Sequence, residues 1–193
     1  YANPTWNIIS FLDRKIFFKE KTMRTYALIG KSLSHSYSKK YFTDKFIQQN
    51  ILDTQYNNLE LDDISEIKEK IINDNLLGFN VTIPYKSSII PYLDFLEKDA
   101  KRIGSVNTVK VLNGNLYGYN TDIIGFEKSL YPLSQNKKTA LVLGNGGSSK
   151  SIQFVLERLN IQFNVINRNS DLDYHNITEE FIKDFDIIIN TTP

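Results

Sequence analysis

Thr139-Ala140-Leu141-Val142-Leu143-Gly144-Asn145-Gly146-Gly147-Ser148-Ser149 is the stretch whose reading decides the fold. Residues 139–143 form an apolar run that predicts a buried strand, and the glycines after it predict a tight turn. Residues 150–159 then read as a helix, 163–166 as a second strand and 186–189 as another. Strand, glycine-rich turn, helix and strand make a βαβ unit. Glycines let the backbone approach a pyrophosphate, and the helix N-terminus offers it free N–H groups and a partial positive charge. A glycine-rich turn alone is often only a turn, but here the strand and helix stand where a dinucleotide site requires them. The third glycine of the usual fingerprint is replaced by Ser149.

The end of the second strand discriminates between cofactors. An NAD site carries an acid there for the ribose 2′-hydroxyl. This chain has Asn167-Arg168 instead. A carboxylate would repel a 2′-phosphate, whereas a guanidinium pairs with it and stacks on adenine. The pattern predicts NADP; the plainer alternative makes Arg168 a solvated surface residue.

Upstream, strand and helix patterns alternate. Residues 26–30 read as a strand, and 39–50 as a helix with Phe42, Phe46 and Ile47 on one side. Residues 55–59 read as a strand, 64–73 as a helix, and 78–83 as a strand stopped by Pro84. Residues 87–96 are expected to be helical, with Pro91 near the start or at a kink. Residues 106–112 and 116–119 flank Asn113-Gly114-Asn115 as a hairpin, and a helix covers 123–130. The polar linker 131–137, with Pro132, is the expected domain boundary. The predicted fold is therefore α/β, with a substrate-binding and catalytic domain over 23–130 and a Rossmann-like NADP-binding domain over 131–193. Residues 1–22 show no clear period and are left as an extension ahead of Met23, the only methionine. The last residues, Asn190-Thr191-Thr192-Pro193, follow directly on a strand, so the cofactor domain is expected to be cut short.

Bulk properties exclude several classes. A formal net charge of +1 gives no electrostatic case for nucleic acid or a membrane surface. The chain has no cysteine, which removes disulfides, thiolate nucleophiles and thiolate metal sites. Its two histidines, His35 and His175, lie far apart, so no metal site is expected. No apolar run reaches transmembrane length and residues 1–15 lack signal-peptide order. A cytoplasmic enzyme or binding protein, monomeric or homodimeric, acting on a small molecule is the default expectation.

Four short motifs precede the glycine-rich turn: His35-Ser36-Tyr37-Ser38, Asn80-Val81-Thr82-Ile83-Pro84-Tyr85-Lys86, Gly104-Ser105-Val106-Asn107-Thr108 and Gly118-Tyr119-Asn120-Thr121-Asp122. Each puts polar side chains near a predicted strand end, where open α/β sheets bind ligands. The chemistry they suggest is carbonyl reduction. Hydride arriving at a ketone carbon leaves charge on oxygen, so a proton donor is needed. Lys86 supplies one and Asp122 holds the ammonium. Hydroxyls at Ser36 and Ser38 suit a carboxylate, and Thr82 and Asn107 suit ring hydroxyls. Each motif also has a plainer reading. Ser36 and Ser38 could cap a helix, Lys86 could be an exposed lysine, and Asp122 could be the N-cap of the next helix.

In this order, followed by Gly144 to Ser148 and Asn167-Arg168, the motifs resemble the shikimate dehydrogenase family. The resemblance runs from Met23 to Pro193. It implies NADPH-dependent reduction of 3-dehydroshikimate to shikimate, a step toward chorismate and the aromatic amino acids. It implies Lys86 and Asp122 as the catalytic pair. It further implies Ser36 and Ser38 on the substrate carboxylate, with Thr82 and Asn107 on its hydroxyls, assisted by Asn80. Gly144, Asn145, Gly146, Gly147 and Ser148 would cradle the NADP pyrophosphate, and Asn167 with Arg168 would hold the 2′-phosphate. Three positions depart from the family pattern: Lys39 for a proline, Asn169 for a threonine and Leu172 for a basic residue. The rivals are an NAD-preferring quinate/shikimate dehydrogenase of the same family, a folate-type methylene dehydrogenase and a non-catalytic ligand-binding homologue. Arg168, the paired serines with the Asn-Thr-Asp motif, and the intact Lys86 and Asp122 argue against them in turn.

Overall fold

A computed structural model describes residues 23–169 and 174–192. The N-terminal extension over 1–22 and Leu172 lie outside the described residues. Nine strands form two sheets among them. The first sheet uses β1 (Arg24–Gly30), β2 (Thr54–Glu60), β3 (Leu76–Val81), β4 (Phe95–Leu96), β5 (Thr108–Leu112) and β6 (Asn115–Tyr119), in the order β2-β1-β3-β5-β6-β4. The second uses β7 (Thr139–Leu143), β8 (Gln162–Ile166) and β9 (Ile187–Asn190), all parallel, in the order β8-β7-β9. The helices are α1 (Ser38–Gln48), α2 (Ile67–Asn73), α3 (Lys98–Ile103), α4 (Asp122–Leu130), α5 (Gly147–Arg158) and α6 (Glu179–Ile182). None of the described helices is long and apolar enough to cross a membrane.

Side-chain alternation explains how the first sheet is covered. Successive residues of β1 face opposite sides. Ala27 and Ile29 join Phe79, Val81 and Val109 in the main core, which Ile64, Ile67, Ile89 and Ala100 complete. On the other face Leu28 and Tyr56 pack under Phe42 and Phe46 of α1. The Phe42 and Tyr56 rings stack with centroids 4.5 Å apart. The second sheet has its own core, where Ala140 and Val142 meet Phe154 and Val155 of α5. Ile123 and Leu130 of α4 belong to that core too, so the helix before the 131–137 linker packs with the second sheet.

One local reading is corrected and one element is added. Residues 87–96 form no α-helix: turns lead to a single 3-10 turn at Ile90–Tyr92, and Phe95–Leu96 pairs with β6. Pro91 removes a backbone donor at the point where a helix would need to propagate. Helix α3 is an addition to the expected elements. Its start is satisfied by the Glu97 carboxylate, which accepts from the N–H groups of Asp99 and Ala100, and Gly104 follows its last turn.

The register places every upstream motif on one end of the first sheet. Strand β1 is parallel to β3, so the loops after Gly30 and after Val81 leave from the same end. Strand β5 is antiparallel to β3, pairing Thr108 with Asn80, so its start lies at that end. Strand β6 returns antiparallel to β5, pairing Tyr119 with Thr108, and its last residues arrive there as well.

Candidate active site

The loop after β3 holds Lys86 in place by its neighbours. The Tyr85 ring is buried in the main core and its hydroxyl donates to the Leu61 carbonyl at 2.6 Å. The Lys86 carbonyl accepts from the Val106 N–H at 2.7 Å. With Tyr85 pinned inward and the backbone pinned sideways, the Lys86 side chain leaves toward the second sheet. Its ammonium donates to Asp122 Oδ2 at 2.7 Å and to Ser148 Oγ at 2.9 Å. The Lys86 side chain is only 12% exposed and that of Asp122 34%.

Asp122 is the first residue of α4, not its cap; the N-cap is Thr121, which makes no side-chain cap bond. The Asp122 carboxylate instead accepts from Asn107 Nδ2 at 2.6 Å. Asn107 is itself fixed: its Oδ1 accepts from the Thr121 N–H at 2.8 Å and from the Thr108 and Thr121 hydroxyls. Lysine, carboxylate and amide thus form one chain in which each charged atom has a defined partner. Half-buried ion pairs hold only when such partners satisfy the remaining atoms.

The remaining expected residues are placed as follows. Thr82 continues the ladder beyond β3 through an N–H bond to Ile29 O, close to Gly30. Ser36 and Ser38 sit at the start of α1, where the Ser38 N–H donates to Ser36 Oγ at 3.2 Å; the N-cap Tyr37 itself makes no side-chain bond. Ser36 therefore does part of a cap's work, while Ser38 Oγ belongs to the first turn. Asn80 lies a step behind. Its Oδ1 accepts from the Tyr56 hydroxyl at 2.8 Å and its Nδ2 reaches Thr108 Oγ1 at 3.1 Å. Burial pushes the Tyr56 hydroxyl above the ordinary phenol range, so it stays a donor. Asn80 and Tyr56 line a separate apolar groove of about 380 Å³ on the α1 side of the sheet.

The second wall is the glycine-rich turn. A cleft of about 860 Å³ is lined by Lys86, Gly144, Asn145, Gly146, Gly147, Asn167 and Arg168. This cleft, not the apolar groove, is the candidate site, because Lys86 lines it together with the glycine-rich turn. Gly144 has φ +106, and a Cβ there would lie 2.5 Å from Thr191 Oγ1. Gly147, the first residue of α5, packs closely against the loop residues Lys86 and Ser105. A Cβ there would fall 2.9 Å from both Lys86 Cβ and Ser105 Oγ. Ser149, in place of the third glycine, is fully buried and donates to the Gly144 carbonyl at 2.7 Å. Arg168 is exposed at the cleft rim, and Asn167 Oδ1 accepts from the Asn169 N–H at 2.9 Å.

Three residues to which the sequence assigns no role tie the walls together. Buried Asn120 donates to the Ser105 carbonyl at 2.9 Å and to Ser151 Oγ at 2.8 Å. Ser105 Oγ donates to the Gly147 carbonyl at 3.2 Å. Ser105 and Asn120 lie inside the quoted motifs, but nothing in their spacing reveals a partner on α5.

The residues present fit a dinucleotide phosphate. The turn is bare of side chains at Gly144, Gly146 and Gly147, it opens onto the N-terminus of a twelve-residue helix, and a guanidinium stands at the rim. Such a turn, sharing a cleft with a lysine that is itself paired to a carboxylate, places the protein among the dinucleotide-dependent dehydrogenases. Residues 28–109 match the family model described as the shikimate dehydrogenase substrate binding domain, and 182 residues are 39% identical to the shikimate dehydrogenase (NADP(+)) of Staphylococcus aureus strain bovine RF122 / ET3-1. That match covers 87% of this chain and 68% of the relative. The chain belongs to the shikimate dehydrogenase family. Solved structures agree. Shikimate dehydrogenase 1 from Peptoclostridium difficile superimposes with a TM-score of 0.77 at 36% identity, covering 89% of this chain and 67% of that one. Shikimate 5-dehydrogenase from Thermus thermophilus, in complex with NADP(H) and shikimate, gives 0.75 at 27% identity, covering 88% and 69%.

Proposed function

We propose that the protein catalyses the reversible NADPH-dependent reduction of 3-dehydroshikimate to shikimate. The observation that carries this reading is the 2.7 Å Lys86–Asp122 pair, whose lysine lines the same cleft as the glycine-rich turn. Bound NADPH supplies the hydride. Lys86 gives a proton to the carbonyl oxygen as it becomes an alkoxide, and takes it back in the reverse direction. Asp122 keeps the ammonium aimed and balances its charge, and Asn107 keeps Asp122 aimed. Ser36 and Ser38 bind the substrate carboxylate, Thr82 and Asn107 its ring hydroxyls, and Asn80 supports them through Thr108. Gly144, Asn145, Gly146, Gly147 and Ser148 cradle the pyrophosphate, and Asn167 with Arg168 hold the 2′-phosphate.

The same reading divides the chain at the 131–137 linker into a substrate-binding and an NADP-binding unit, with α4 belonging to the first in sequence and to the second in packing. It sets the protein in the cytoplasm as a monomer or homodimer. The test is NADP reduction by the purified protein with shikimate, with quinate and with neither. Shikimate-dependent NADPH formation is expected; formation with quinate alone, or with NAD as readily as NADP, would overturn it.

A further inference from the structure

In the glycine-rich turn the phosphate is cradled by backbone N–H groups, which leaves the Ser148 hydroxyl free for a second task. That hydroxyl lies 2.9 Å from Lys86 Nζ, on a residue 62 positions away in sequence. A lysine ammonium has three N–H donors arranged as a tripod. One goes to Asp122 Oδ2 at 2.7 Å and a second to Ser148 Oγ. Two fixed contacts on different elements stop the tripod from spinning about the Cε–Nζ bond. They therefore determine where the third donor points. With Asp122 alone, the ammonium would pivot and the third donor would sweep a cone. The contact exists because Gly147 has no side chain, which lets the turn close against the Lys86 stem.

We infer that Ser148 is a positioning residue for the catalytic lysine: its hydroxyl sets the rotation of the ammonium and so aims the remaining N–H at the substrate oxygen. This rests on the reading of Lys86 as the proton donor. The glycine-rich turn then has two tasks, cradling phosphate through its backbone and orienting the acid through one side chain. Catalysis is sensitive to such aim, because reacting groups work only from a narrow range of distances and angles.

The experiment compares the unmodified enzyme with Ser148→Ala and Ser148→Thr, measuring kcat and KM for 3-dehydroshikimate and for NADPH. Ser148→Ala is expected to lower kcat about 10-fold, the range for losing a hydrogen bond to a charged group, with both KM values within about threefold. Ser148→Thr, which keeps the oxygen, is expected to recover kcat to within about twofold. An unchanged kcat in Ser148→Ala overturns the inference. So does a loss that Thr fails to restore, or one matched by an equal rise in KM for NADPH, which makes Ser148 a cofactor contact only. An unmodified enzyme with no reductase activity sinks the proposed function instead, so the two failures are distinguishable.

Discussion

Lys86 and Asp122, 36 residues apart in sequence, meet at 2.7 Å because β3 and β6 end on the same side of one sheet. General acid assistance is worth roughly 100- to 10,000-fold in rate. Lys86→Ala is expected to reduce kcat by that factor while leaving NADP affinity, measured by fluorescence, nearly unchanged. Asp122→Asn should act similarly, and the double mutant should lose little more than either single one, since the two act as a unit. Strictly multiplicative losses would show that they work independently.

Gly147 offers a steric test of how closely the two walls must approach. A Cβ there would press on Lys86 Cβ and Ser105 Oγ, both at 2.9 Å. Gly147→Ala must push the turn away from the lysine. A displacement near an ångström in a catalytic site is worth about 100-fold in rate. A fall of that order in kcat/KM is expected, with the melting temperature nearly kept because the helix tolerates alanine.

Cofactor choice is expected to rest on Arg168. Losing a charge-assisted contact costs about 1.5–3 kcal/mol, so Arg168→Ala should reduce the preference for NADP over NAD by about 10- to 100-fold. The readout is the ratio of kcat/KM for the two cofactors. A ratio that does not move would make Arg168 a solvated side chain.

Ser36 and Ser38 stand two apart at the start of α1, and their replacement separates binding from capping. The Ser36→Ala/Ser38→Ala enzyme should show a KM for shikimate raised about 10-fold or more with a smaller change in kcat. Lost thermal stability with unchanged KM would mean that the Ser36 bond to the Ser38 N–H is their whole role.

Asp186 gives a prediction about pH. The backbone N–H groups of Lys138 and Thr139 hold its carboxyl below the ordinary carboxylate range. A depressed folded-state pKa stabilises the protein above the unfolded-state value, about 3.9, and that stability is lost as pH falls through the folded value. Asp186→Asn should therefore lower the melting temperature at neutral pH, and the gap from the unmodified protein should close below about pH 4. A gap independent of pH would assign the effect to packing.

The second sheet is legible in the sequence because the run from Thr139 to Leu143 is apolar and ends in glycine, which leaves few alternatives to a buried strand and a tight turn. The pairing of Lys86 with Asp122 is legible because both sit in motifs that a known family carries. Helix α3 is not, since six residues are too few to show a period, although Glu97 before it and Gly104 after it are boundary signals. The strand Phe95–Leu96 is hidden for a different reason. Two residues become a strand only because β6 lies beside them. The Asn120–Ser151 and Lys86–Ser148 contacts belong to tertiary structure alone, since local sequence cannot say which helix will arrive opposite a loop.

The hairpin that delivers Asn107 and Asp122 to the site also has a far end. From the Thr108–Tyr119 pair to the Leu112–Asn115 pair the strands rise by four residues, roughly 14 Å. Asn113 and Gly114 turn there, and a Cβ on Gly114 would meet nothing within 4 Å. A short peptide tag or a fluorophore grafted into that turn would report on the protein from outside while the chemistry proceeds undisturbed at the opposite end of the same two strands.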